Sequence, residues 1–292
     1  MDRVVSGQVV VESCHNKCHL KDCPYLPSEV IQCVYKYPLK IIIPKYAATG
    51  CCKWIYSLNY GGGFVSGDSF KIDVIVKEKC SVLWTTQSFT KVYNCKRNKE
   101  CKQDIIYTVN SESLLCILPE PVVCFKDAKY KQYQEVNLDY DGNLVLLDWF
   151  TSGRKAHGEH WDFEKYQSTT IIKLAGKIIL KENICLQDTP FLLKRDANKN
   201  YALFGICIII GSKFSKLIMY LLQKLQLREP YGKTSHSNFV CGISRCSSVI
   251  NTSFTGCILR FASTSTYNAY PEIFKILSPV FDIIGGNPFE DK

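Results

Sequence analysis

From about residue 38 to 210 apolar and polar positions alternate with a period of two, the pattern of strands that bury one face. The clearest case follows a glycine-rich stretch: Phe70, Ile72, Val74 and Val76 alternate with Lys71, Asp73, Ile75 and Lys77. Further strands are predicted in SVLWTTQ, DIIYTVN, SLLCILP, VVCFKD, YQEVNLDY, NLVLLDWF, STTIIKLA, KIILKENICL and YALFGICIII. Asp141-Gly142 and Gly176-Lys177 stand where tight hairpins would turn. The fold expected is mainly β, a large two-layer assembly of many strands, β-helix-like or sandwich-like.

Helical spacing appears only in the C-terminal third. Phe214, Leu217, Ile218, Leu221, Leu222 and Leu225 form one apolar stripe, predicting a helix over about 213 to 228 that stops before Pro230. A second helix is expected in YPEIFKILSPVFDII, with Pro271 in its first turn and a bend or break at Pro279. No linker or internal repeat divides the chain. Residues 36–292 read as a single domain, preceded by a cysteine-rich segment, 1–35, that either stands apart or joins the fold.

Composition narrows the function classes. With 292 residues, 46% of them hydrophobic, the chain can bury a large core. The N-terminus has no signal-like apolar run, and the longest apolar stretch, at 201–210, is too short to span a bilayer. These features predict a soluble, cytoplasmic protein with no membrane partner. The net charge of +9 is dispersed, so an acidic protein partner is favoured over nucleic acid. Sixteen cysteines without a repeating interval suit reduced thiols. In CHNKCHLKDC, Cys14, Cys18 and Cys23 with His15 and His19 offer zinc or nickel donors, although no second half with ligand spacing follows.

Two phosphate-binding patterns fail on inspection. In YGGGFVSGD, Ser66 occupies the place of the third fingerprint glycine and a strand follows, where a dinucleotide site needs a helix. YGKTS at 231–235 lacks the leading P-loop glycine, since Leu227 stands there. The glycines instead predict tight turns that hold Asp68 at a strand entrance. The remaining chemistry sits in TSGRKAHGEHWDFEKY, where His157, Glu159 and His160 suit a divalent first-row metal, or where Glu159 simply pairs with Arg154.

Four ordered blocks then share a pattern: GGGFVSGDSFKIDV, LWTTQSFTKVY, LPEPVVCFKDAKYKQ and LLDWFTSGRKAHGEHWDF. Together they resemble the UreD (UreH) family of urease accessory proteins. The motif residues are Gly61, Gly62, Gly63, Gly67, Thr85, Thr86, Lys91, Tyr93, Gly153, Arg154 and Gly158. The resemblance implies a metallochaperone scaffold and not an enzyme. Such a scaffold joins apo-urease, UreF and the GTPase UreG, in an assembly that pairs two heterotrimers through UreF. It implies no tightly bound cofactor and a transient Ni²⁺ cargo that passes through an internal tunnel.

The family's tunnel acids correspond to Asp68 and Glu159, with Asp148 and Glu120 as weaker candidates. His157 and His160 lie outside the general pattern; they either hold nickel more firmly at the tunnel mouth or are incidental. Two other classes compete. One is an all-β ligand- or protein-binding module without a metal, and the other is a metal-assisted hydrolase built on His157, Glu159 and His160.

Overall fold

The computed structural model describes residues 5–14, 25–45, 50–96, 99–187, 201–225, 237–246 and 255–290. Two sheets face one another. The first has seven strands: β1 (Gly7–Ser13), β2 (Ser28–Tyr35), β5 (Ser69–Val76), β8 (Cys101–Val109), β11 (Lys129–Leu138), β13 (Lys165–Leu174) and β14 (Lys177–Gln187). The second has ten: β3 (Leu39–Ile42), β4 (Lys53–Asn59), β6 (Ser81–Thr86), β7 (Thr90–Val92), β9 (Leu114–Ile117), β10 (Val122–Cys124), β12 (Asn143–Thr151), β15 (Leu203–Ile210), β16 (Phe239–Cys246) and β17 (Gly256–Ser263).

Between β4 and β13 the chain steps back and forth between the sheets. On the first sheet β5, β8, β11 and β13 pair in parallel in turn, and on the second β4, β6, β9 and β12 do the same, which makes a two-sided solenoid. Strands β7 and β10 form a parallel side branch that joins β12. Antiparallel strands close the ends. Parallel register stacks like positions, so Val9, Val74, Tyr107, Val136 and Ile172 form one buried ladder. Ile55, Trp84, Ile117, Leu146 and Ile208 form the ladder of the other sheet. These two ladders belong to the core between the sheets.

The sheets differ in their outer faces. β5 and β11 alternate buried and half-buried positions because one side meets solvent. β12 is buried at every position, since its outer face lies under two helices; a doubly covered strand reads as a continuous apolar run. Helix α1 (Ser215–Leu225) sets Ile218, Leu221 and Leu222 into this second core, joined by Phe214 from the 3-10 turn before it. Helix α2 (Thr266–Ile284) adds Ala269, Ile273, Leu277, Val280, Phe281 and Ile284. Among the described residues no helix is long and apolar enough to cross a membrane.

Three local expectations change. Asp141-Gly142 is not a hairpin: β11 and β12 belong to different sheets, so the turn is a corner of the solenoid. Gly176-Lys177 does join an antiparallel pair. Pro271 lies beyond the first turn of α2, which begins at Thr266 behind the Ser265 cap, and the helix runs on through Pro279. Pro279 removes one backbone donor, and Ser278 Oγ donates to the carbonyl of Lys275, 3.4 Å away. The apolar face of the helix supplies the rest of its stability. Residues 7–13 and 28–35 form sheet strands, with Val9 and Val11 fully buried.

Candidate functional site

The sequence motifs, scattered from residue 61 to 159, meet at one end of the solenoid. Its centre is the short strand β7. Phe64 bridges to Val92, with its N–H donating to the Lys91 carbonyl (2.8 Å) and its own carbonyl accepting from Tyr93 N–H (3.0 Å). Gly63 allows that approach, because a Cβ there would stand 2.6 Å from the Lys91 oxygen. Tyr93 Oη donates to the Gly61 carbonyl (3.1 Å), where Gly61 and Gly62 turn the chain at positive φ. Asp68 closes the other side of this turn, as its carboxylate accepts from Val65 N–H (2.8 Å). The paired threonines hold the LPEP segment. Thr85 Oγ1 donates to the Leu118 carbonyl (2.6 Å) and Thr86 Oγ1 accepts from Glu120 N–H (2.9 Å), while Trp149 Nε1 donates to the Pro119 carbonyl (2.8 Å).

The GR-x-x-x-GE block covers the same end. Gly153, at φ +121°, returns the chain from β12 into a 3-10 turn at Lys155–His157, which Gly158 closes in a left-handed conformation. The Arg154 guanidinium lies 4.0 Å from the centre of the Phe125 ring and donates to both oxygens of Glu159, the contact from Nε being 3.0 Å. Glu159 also accepts from Lys126 N–H (3.2 Å). Its hydrogen bonds with Arg154 hold the carboxyl below the ordinary range. Of the two expectations for Glu159, the arginine pair is what forms. His157 is exposed, and His160 is half-buried with Nδ1 lacking a protein partner; burial lowers its pKa. Among the described residues no three His, Cys, Asp or Glu side chains group closely enough to hold a metal ion.

A polar layer runs inward from this end, two same-face positions along the strands from the apolar ladder of the first sheet and one from that of the second. Gln103, Gln132 and Ser168 are in register on the first sheet, facing Ser57, Thr86 and Asp148 from the second. Asp148 lies at the centre. Its carboxylate accepts from Ser168 Oγ (2.7 Å) and from Gln132 Nε2 (3.2 Å to each oxygen), and the Gln132 carbonyl oxygen accepts from Tyr130 Oη (3.2 Å). Burial pushes the carboxyl up, outweighing the two hydrogen-bond donors that pull it down.

Beside Asp148 is a cavity of about 30 Å³, enough for a water, lined also by Glu120, Gln134 and Tyr107. The Tyr107 hydroxyl is buried without a protein partner, as expected of a group that meets water there. A second cavity of about 60 Å³ shares Ser57, Thr86, Thr90 and Gln103 with the first and reaches Gly62 and Gly63. Across β7 is a larger hollow of about 580 Å³ that takes in Phe89, Lys91, Arg154 and His157.

Thus Asp148 and Glu120 share one cavity, whereas Asp68 and Glu159 line none of these three hollows. Glu120 is held from the helical layer by the Tyr270 hydroxyl. Gln103, Gln132 and Ser168 escaped the sequence reading. Their signal was present, since Tyr130, Gln132, Gln134, Val136 and Leu138 are alternate residues on the buried face of β11. Of CHNKCHLKDC, all but Cys14 lies outside the described residues, as does YGKTS.

Comparison with known proteins agrees with the motif pattern. The model of the UreD urease accessory protein family matches residues 25–287. Urease accessory protein D of Arabidopsis thaliana is 32% identical, over 98% of this chain and 100% of its own. The protein of the same name from Oryza sativa subsp. indica is 32% identical over 90% and 91%. Urease accessory protein UreD of Anaeromyxobacter sp. (strain Fw109-5) is 28% identical over 90% and 84%. The family match and the arrangement of its motifs around β7 lead to one assignment: the chain belongs to the UreD family of urease accessory proteins.

Proposed function

We propose that this chain is a cytoplasmic metallochaperone scaffold, without catalysis of its own, that passes hydrated nickel to apo-urease. It works in complex with UreF and UreG homologues, two such heterotrimers being joined through UreF. The observation that carries the reading is the polar layer around Asp148, which continues from the glycine turn to the middle of the molecule. Its donors are amide and hydroxyl oxygens with few carboxylates. Oxygen donors of this kind suit a hydrated divalent cation in transit, because they attract it without the firm grip of imidazole or thiolate. Burial penalises the charged form of Asp148, so an arriving cation would stabilise its carboxylate.

Asp68 and Glu159 remain proposed acids of the passage mouth, acting there through the turn and the Arg154 pair that they hold. The decisive variant is Asp148→Asn, which keeps the shape and removes the charge. Produced together with urease and the partner proteins at limiting nickel, it is expected to lower the nickel content of purified urease several-fold while co-purification is unchanged. Wild-type nickel content in that urease would overturn the passage.

A further inference from the structure

Outside the motifs and the polar layer, one pair of side chains has chemistry that the nickel role does not use. Cys95 follows the TKVY block, and Cys101 opens β8. Their sulfurs are 3.8 Å apart, in contact as thiols. Cys101 is fully buried, and its S–H also reaches the Val65 carbonyl (3.3 Å) within the glycine turn. Cys95 is half-buried and so keeps access to small solutes. Its sulfur accepts from the backbone N–H of Lys129 (3.2 Å), a donor that favours a thiolate, and as a thiol reaches the Lys129 (3.5 Å) and Tyr93 (3.8 Å) carbonyls.

We propose that Cys95 and Cys101 are a peroxide-oxidisable thiol pair, Cys95 being the attacking sulfur and Cys101 the resolving one. The geometry assigns the roles. The attacking sulfur needs access and hydrogen-bond donors, which Cys95 has, whereas the resolving sulfur needs only proximity. The contact with Cys101 and the Lys129 N–H pull the Cys95 thiol below its usual range, while the same contact and burial push Cys101 up. In the first step the Cys95 thiolate forms an S–O bond to one peroxide oxygen. The O–O bond breaks, and the departing hydroxide takes a proton to leave as water. In the second step Cys101 gives up its proton and its sulfur bonds to Cys95; the S–O bond breaks and a second water leaves. Two thiols lose two electrons in all, and one hydrogen peroxide is reduced to two waters. The new bond takes the Cys101 donor from the Val65 carbonyl, so oxidation is felt at the turn that borders the mouth of the polar layer.

The test uses the full-length chain, reduced, freed of reductant and exposed to a small excess of hydrogen peroxide. Peptide mapping after alkylation is expected to show Cys95 linked to Cys101, at a mass two hydrogens lower. In Cys101→Ser the Cys95 sulfenic acid is expected to be captured by dimedone, and in Cys95→Ser no link forms. A measurement on the wild type alone guards against misfolded variants: limiting iodoacetamide at neutral pH is expected to label Cys95 about tenfold faster than exposed Cys185. The proposal is overturned if no link forms in the folded chain, or if Cys95 is labelled no faster than Cys185.

Discussion

Asp148 and Glu159 belong to one stretch of chain, yet their carboxyl groups move in opposite directions. Glu159 rests against Arg154, whose hydrogen bonds favour the charged form, whereas Asp148 is desolvated between two sheets, which favours the neutral form. The difference is testable through stability. A carboxyl whose folded pKa is depressed stabilises the fold above its unfolded value, about 4.3 for Glu, and the contribution is lost as pH falls through the folded value. Glu159→Gln is therefore expected to melt below wild type at pH 6, with the gap closing as the pH drops under about 4. A gap that persists unchanged in acid would show that the pair with Arg154 does not stabilise the fold. The sequence contains both residues of this pair close together in TSGRKAHGEH, which is why the pairing could be foreseen. Asp148 stands in an apolar run, LLDWF, where the family pattern marks it as a weaker passage acid but nothing local shows what it meets.

At the scale of elements, strands were legible where a single face is buried. β5 and β8 announce themselves by alternation, and β12 and β15 by long apolar runs. β1 to β4 and β7 were missed, β3 and β7 being only four and three residues long. β16 was missed because it is an exposed edge with a weak pattern, and β17 because the late part of the chain reads as helical. Helix α2 shows the reverse error, since local chemistry argues for a bend or break at Pro279 and packing carries the helix through it. Six side chains of its inner face are buried, whereas Pro279 itself is exposed. Burial at about 1.5–3 kcal/mol per large apolar side chain outweighs a proline penalty of about 3 kcal/mol. Pro279→Ala should then raise stability by about 1–2 kcal/mol in a urea melt, the unfolded chain's regained freedom offsetting part of the gain. A loss of stability would mean that the proline shapes the helix to fit its sheet.

Across the whole molecule, a polar layer around buried Asp148 lies between the two sheets, beside the apolar core they share. Buried charge that could be replaced by a neutral group of the same shape is commonly a net cost to folding. Asp148→Asn is expected to stabilise the free protein by about 1 kcal/mol, or about 2–4 °C in Tm, while impairing nickel delivery. A lower Tm would indicate that the carboxylate, with Gln132 and Ser168, is retained for stability. Of the candidate site, the motif residues were visible in the sequence, with Asp148 and Glu120 as weaker candidates, and the rest of the layer was not. The motifs are marked by glycines and paired threonines whose local chemistry is distinctive. The layer consists of ordinary polar residues on different strands that only the solenoid register stacks.

The sequence by itself determined a mainly β fold, most of its strands, two late helices and the family, because periodicity and ordered motifs are local properties of the chain. Tertiary structure decided which strands pair in parallel, that Asp141-Gly142 is a corner, and that α2 continues through two prolines. It also decided that Asp148 meets Gln132 and Ser168 in the interior, while Asp68 and Glu159 hold the turn and the arginine at its end. The physical reason is register. Once parallel strands stack, every residue acquires neighbours from the coils before and after it, and no pattern within one strand specifies which polar groups those will be.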